Sequence, residues 1–175
     1  MPTHKIALID ENPQQKEGAQ THPPLPTNVL HKVDEVMLAE CKGTRTIILS
    51  KDVFSGYIDS TFDTLKGNCA TPIMQVDVYE MNQNARFPKI FGSFGRELNV
   101  LIFTQDQVIE FCTKYPRKLR TGSYGTFFLL KEGNNFFVAR VYFNDDGWLE
   151  VRFCVFEYYY IWGACYRRRV VVPQL

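Results

Sequence analysis

The chain of 175 residues carries 20 Lys and Arg against 19 Asp and Glu, a net charge of +1. So small a surplus gives no bulk attraction to nucleic acid or to a membrane surface. A hydrophobic content of 45%, with 14 Phe and 9 Tyr, supplies ample apolar area for a packed core, which excludes a chain disordered throughout.

The opening "MPTHKIALIDENPQQKEG" lacks the charged head and apolar core of a secretory signal. No apolar run approaches the roughly 20 residues of a membrane helix, so a soluble, cytoplasmic protein is expected. "DENPQQKEGAQTHPPLP", residues 10–26, is rich in proline and polar groups and reads as a linker. Residues 1–26 are therefore expected to form a flexible arm ahead of one domain over 27–175. "KIALI" within the arm fits either a short edge strand or more of the same arm.

Thr27 can cap a helix to about Cys41, because Val29, Leu30, Val33, Val36 and Met37 fall at helical spacing. "RTIIL", 45–49, has the composition of a short strand. Ser50 can then cap a second helix that buries Val53, Phe54, Tyr57, Ile58, Phe62 and Leu65 and stops at Gly67. "TPIMQVDVYEM" alternates as a strand does. "NQNARFPKIFGSFGR" reads as a long loop. Thr104 and Gln107 form a capping-box pair ahead of a helix carrying Val108, Ile109, Phe111 and Cys112, which Pro116 limits to about three turns.

From Gly125 the period changes to two. "GTFFLLK", "FFVARVYF", "WLEVRFCVFEYYYIW" and "YRRRVVV" predict an antiparallel meander. A three-residue turn Asp145-Asp146-Gly147 would pair Asn144 with Trp148, and its last position favours glycine. One face then pairs Phe143 with Leu149, Val141 with Val151, Ala139 with Phe153 and Phe137 with Val155. A turn one residue longer would set Val141 against Glu150, so the shorter turn is preferred. The other face pairs Tyr142 with Glu150, Arg140 with Arg152, Val138 with Cys154 and Phe136 with Phe156. A strand continuing through 148–162 would add Tyr158, Tyr160 and Trp162 to that second face. The expected fold is α+β, with N-terminal helices packed on a mainly antiparallel, twisted sheet.

"LRTGSYGTFFLLKEGNNFFVARVYF" and the closing "YRRRVVVPQL" resemble the C-terminal part of small uncharacterised proteins of candidate-phyla (Parcubacteria-type) bacteria. The resemblance covers about the last third of the chain. It implies a bacterial origin and brings no activity and no catalytic residue.

Sites of chemistry are sparse in the sequence. Cysteines at 41, 69, 112, 154 and 165 are odd in number and form no C-x-x-C pair, as expected of free thiols. The histidines are His4, His22 and His31, none spaced as a metal ligand beside another His or Cys. A Cys–His hydrolase would have to bring one of them to a thiol such as Cys112. "FGSFGR" holds glycines without the lysine or the strand–loop–helix setting of a phosphate loop. Glu157 is expected to pair with Arg167 or Arg169. No cofactor is implied.

The strongest lead is the mixing of rings with cations. Arg140 opposite Arg152 is a like-charge pair that needs an anion or Glu150 to relieve it. Arg140, Tyr142, Arg152, Tyr158, Tyr160, Trp162 and Arg168 are therefore the candidate ligand residues. The expected function is a non-enzymatic binding module for a protein or a small molecule. An RNA- or single-stranded-DNA-binding protein is the alternative, since rings beside arginines suit bases and phosphates. An enzyme comes third.

Overall fold

The computed structural model describes residues 28–66, 68–122 and 124–174. The expected arm over 1–26, with "KIALI" inside it, lies outside them. The described chain is mainly sheet with some helix. Six strands stand in the order β1-β2-β6-β3-β4-β5: β1 Leu30–Leu38, β2 Met74–Met81, β3 Thr126–Glu132, β4 Asn135–Phe143, β5 Leu149–Val155 and β6 Arg169–Pro173. The sheet is mixed, with β3 and β6 parallel and the remaining neighbours antiparallel.

The first expected helix is β1, an edge strand paired with β2. Its helix-like spacing comes from a bulge between Lys32 and Asp34. An extra residue in one strand carries the chain from one sheet face to the other. Leu30 accordingly packs with Met81 and Val172, while Val36 and Leu38 pack with Val76 and Val78 on the opposite face. Bulge and helix both place apolar residues three apart, and pairing with β2 decides between them.

Neither "RTIIL" nor the second expected helix forms as read. Residues Ile47–Leu49 and Ser60–Thr64 are short 3-10 turns. Their apolar residues still serve the core, since Ile47, Phe54 and Phe62 are fully buried. The segment between them lines the free edge of β5. Gly56 N donates to Leu149 O (3.0 Å), Val151 N to Tyr57 O (2.9 Å) and Asp59 N to Val151 O (3.0 Å). That contact caps an edge that would otherwise offer unpaired backbone groups.

Helix α1, Phe87–Gly92, lies inside the stretch expected to be a loop, with Pro88 in its first turn where a missing N–H is harmless. Helix α2, Gln105–Lys114, has the expected capping box: Thr104 Oγ1 accepts from Gln107 N, and the Gln107 side chain accepts from Thr104 N. Its buried polar residues brace the first loops. Asp106 accepts from Gly43 N (2.8 Å) and Thr44 N (3.2 Å), and Gln105 bridges Ile47 N and Leu65 O.

Both faces of the sheet are covered, not one. Val108, Ile109, Phe111 and Cys112 of α2 pack with Phe62, Phe128 and Val141 on one side. On the other, Phe87, Ile90 and Phe91 of α1 pack with Phe127, Leu129 and Val170.

The β4–β5 hairpin has the expected register. Asn144 N donates to Trp148 O (2.9 Å), Gly147 has φ +81°, and the partners run from Phe143–Leu149 to Phe137–Val155. Two expectations in this region are corrected. The strand does not continue to 162 but ends at Val155, which is 54% exposed. β4 begins at Asn135, directly after its own turn from β3, so no partner remains for residues beyond 157. The last strand, β6, does not follow β5 in a meander; it inserts between β2 and β3 and runs parallel to β3.

Candidate functional site

Beyond Val155 the chain leaves the sheet as a strap. Tyr158 N donates to Val155 O (3.1 Å) and turns the backbone outward. Phe156 and Trp162 are buried at the two ends, and Trp162 is held by backbone bonds in both directions with Ala85. Between these anchors Tyr158, Tyr159, Tyr160 and Ile161 are exposed, Tyr159 by 72%. The three tyrosines in a row are thus the outward rings of a tethered loop. Tyr158 and Tyr160 lie nearly parallel, 17° apart with ring centres 6.3 Å apart.

The strap overhangs the α1 side of β4 and β5 and walls a cleft of about 690 Å³. All seven sequence-selected residues line it. Arg140 and Tyr142 come from β4 and Arg152 from β5; Tyr158, Tyr160 and Trp162 come from the strap, and Arg168 from the turn before β6. They do not share one strand face, as expected from sequence, but converge from three directions. Asp59, Phe153, Cys154 and Val155 also line the cleft. Asp59 was missed because its segment reads as helix in the sequence.

The like-charge pair is relieved on the Arg152 side by Glu150. Arg152 turns towards Glu150 (3.6 Å), donates from Nε to Tyr142 Oη (3.1 Å) and lies over the Tyr57 ring at 4.0 Å. The Tyr142 hydroxyl donates in turn to Glu150 (2.6 Å). The Tyr142 bond raises the Arg152 pKa above its ordinary value. Burial by itself would raise Glu150, but bonds from Tyr142 and Asn144 and the charge of Arg152 hold it below the usual range. Burial also pushes against ionisation of Asp59, yet Thr61 and Phe153 N–H groups donate to it and the net effect is downward.

Arg140 lies over the rings of Tyr142 (4.4 Å) and Trp162 (5.5 Å). Gly125 makes room for it: a Cβ there would lie 2.6 Å from Arg140 Cγ. Arg168 lies 5.2 Å from the centre of the same indole and 4.6 Å from the Tyr166 ring. Arg167 adopts the left-handed conformation (φ 48°), rare for a side-chain-bearing residue, and this reversal sends Arg168 inward.

Arg168 is only 6% exposed and, among the described residues, meets no carboxylate. Its Nη1 donates to Gly163 O (2.7 Å), and its Nε has no acceptor among the described residues. Burial, then the charge of Arg140, lower its pKa. Trp162, also 6% exposed, has an indole N–H without an acceptor among the described residues. Two residues lining the cleft thus each carry a buried donor without an acceptor among the described residues, in a positively charged setting.

The other candidates resolve into structure. Burial pushes the Cys112 thiol far up and that of Cys154 to about 11, which suits neither to nucleophilic work. His31 sits on β1, at the opposite sheet edge from Cys154, five strand spacings or roughly 24 Å away. His4 and His22 lie outside the described residues. No cluster of metal-ligating side chains occurs among the described residues. Glu157 pairs with neither expected arginine: Arg167 faces Glu80 at 3.8 Å, and Arg169 donates to the carbonyl of Lys118 at 2.6 Å. Among the described residues, no helix is long and apolar enough to cross a membrane. Comparison with protein-family models, curated proteins and solved structures finds no match to this chain.

Proposed function

We propose that this chain is a non-enzymatic binding module whose cleft takes a ligand carrying an anionic group beside a planar ring. The observation that carries this reading is the orphaned pair of buried donors, Arg168 Nε and Trp162 Nε1. A buried donor without an acceptor is destabilising by roughly 1–3 kcal/mol, more when charged, so such a pair is retained where a ligand supplies the acceptor. An anion there also offsets the mutual repulsion of Arg140 and Arg168. The part-exposed rings of Tyr158 and Tyr160 supply a stacking surface for the planar group. The carboxylates at the site are already engaged, Asp59 as an acceptor for backbone groups and Glu150 with Tyr142 and Arg152, which supports binding rather than proton transfer.

Trp162 makes the test direct. The chain has two tryptophans, and Trp148 lies exposed on the β4–β5 turn. In the Trp148→Phe protein, emission reports Trp162 alone. Uridine 5′-monophosphate should change that emission saturably. Uridine without phosphate should require about tenfold more ligand or worse, given about 1.5–3 kcal/mol for hydrogen bonds to a charged group. An emission unchanged by the nucleotide overturns the reading.

A further inference from the structure

A second cleft of about 410 Å³ opens on the other side of the strap. Arg86 and Lys89 of the α1 region line it, together with Glu157, Ile161 and Tyr158. Tyr158 lines both clefts. The two cavities are therefore neighbours across one exposed ring, with cations on both sides and the open tyrosines between. Each is within the roughly 300–1,000 Å³ that holds a compact ligand. A ligand confined to one would leave the tyrosine ridge and the second pair of cations unused.

We infer that the two clefts form one track for a single-stranded nucleic acid, crossing the strap at Tyr158. The inference rests on the binding-module reading above and names its ligand class. Aromatic rings flanked by cations are what a single strand uses, since every base has a stacking face and every linkage a charge. Hydrogen-bond bookkeeping separates a nucleic acid from a peptide. A peptide brings a donor N–H at nearly every residue, each needing an acceptor. In the first cleft Asp59 and Glu150 are already taken. A phosphodiester backbone brings acceptors and charge, which Arg168 Nε and Trp162 Nε1 lack. Glu157 opposes such a strand: it places a carboxylate in the second cleft and limits affinity there.

The test is fluorescence anisotropy with labelled di-, tetra- and octauridylate. Affinity should rise by about tenfold or more from the dimer to the octamer, as the second cleft's cations join. With Arg140, Arg168, Arg86 and Lys89 on phosphates, log K for the octamer should fall with log salt at a slope of about −3, from about 0.7 per phosphate. Lys89→Ala should flatten that slope by about 0.7, and Glu157→Gln should tighten the octamer several-fold. An octamer that binds no better than the dimer, while uridine monophosphate still moves Trp162, overturns the track and leaves the first cleft standing. Displacement of uridine monophosphate by an acidic peptide but not by the octamer replaces nucleic acid with a protein partner. Silence towards both the nucleotide and the octamer removes both readings.

Discussion

Replacing Arg168 by methionine separates a binding residue from a structural one. Methionine keeps an unbranched stem over Trp162 and Tyr166 and removes the charge. The losses are the charged bond from Nη1 to Gly163 O, about 1.5–3 kcal/mol, and two ring contacts of about 0.5–1 kcal/mol each. Against them stands the relief of a buried cation with no carboxylate partner among the described residues, worth several kcal/mol by the effective desolvation of real proteins. The repulsion from Arg140 is relieved as well. The two sides nearly cancel, so urea unfolding should place Arg168→Met within about 2 kcal/mol of the parent and on either side of it. Binding of uridine monophosphate should fall by about tenfold or more, since a charged hydrogen bond is lost outright. A destabilisation of about 3–5 kcal/mol with unchanged nucleotide binding is the signature of a broken buried ion pair, and that outcome refutes the reasoning.

Val151 is fully buried against Val141, so Val151→Asp should abolish the cooperative melt; a variant with a normal melt contradicts the register described for β4 and β5. Gly125→Ala should push the Arg140 side chain aside and weaken nucleotide binding, with far-UV circular dichroism unchanged, because the close contacts are all to that one side chain. Thr104→Ala should cost about 1 kcal/mol in urea unfolding through loss of the α2 cap. Glu150 and Asp59 have depressed pKa values in the folded state, so their contribution is present above their ordinary values of 4.5 and 3.8 and is lost as pH falls below them. Glu150→Gln should accordingly flatten the acid limb of the stability–pH curve, read by urea midpoints from pH 6 downward. With the Cys154 thiol near 11, only about one part in a thousand is thiolate at pH 8, so exposed Cys69 and Cys165 should alkylate well before it, as mass spectrometry would show.

What the sequence makes legible is what local chemistry decides. The β4–β5 register follows from alternation and one glycine turn, and α2 follows from Thr104, Gln107 and Pro116. Non-local pairing decides the rest. The spacing of Leu30, Val33 and Val36 suits a helix, and only β2 alongside shows it to be a bulged strand. Val170–Val172 carries no mark of its place between β2 and β3. Residues 156–162 alternate as well as any strand, but the chain turns out of the sheet after Val155, and beyond 157 β4 supplies nothing to pair with. The ring-and-arginine pattern singled out seven residues that meet in one cleft, although the shared strand face that motivated Tyr158, Tyr160 and Trp162 does not exist. The stretch holding Arg86 and Lys89, "ARFPKIFGSFGR", mixes rings with cations in the sequence, but it reads as a loop. Its place beside the strap is set by non-local contacts: the Ala85–Trp162 bridge, Phe87 against Trp162 and Asn84 with Ala164.

The central claim is that Trp162 Nε1 and Arg168 Nε wait for an anionic acceptor. Proton–nitrogen correlation spectra of the Trp148→Phe protein show a single indole N–H, and the Arg168 Nε–H is assigned by its loss in Arg168→Met. Adding uridine monophosphate should move both signals downfield together, with one saturation curve, as hydrogen bonds form to the phosphate. Resonances that stay in place at saturating nucleotide, or that move only as much as with uridine, would contradict the account.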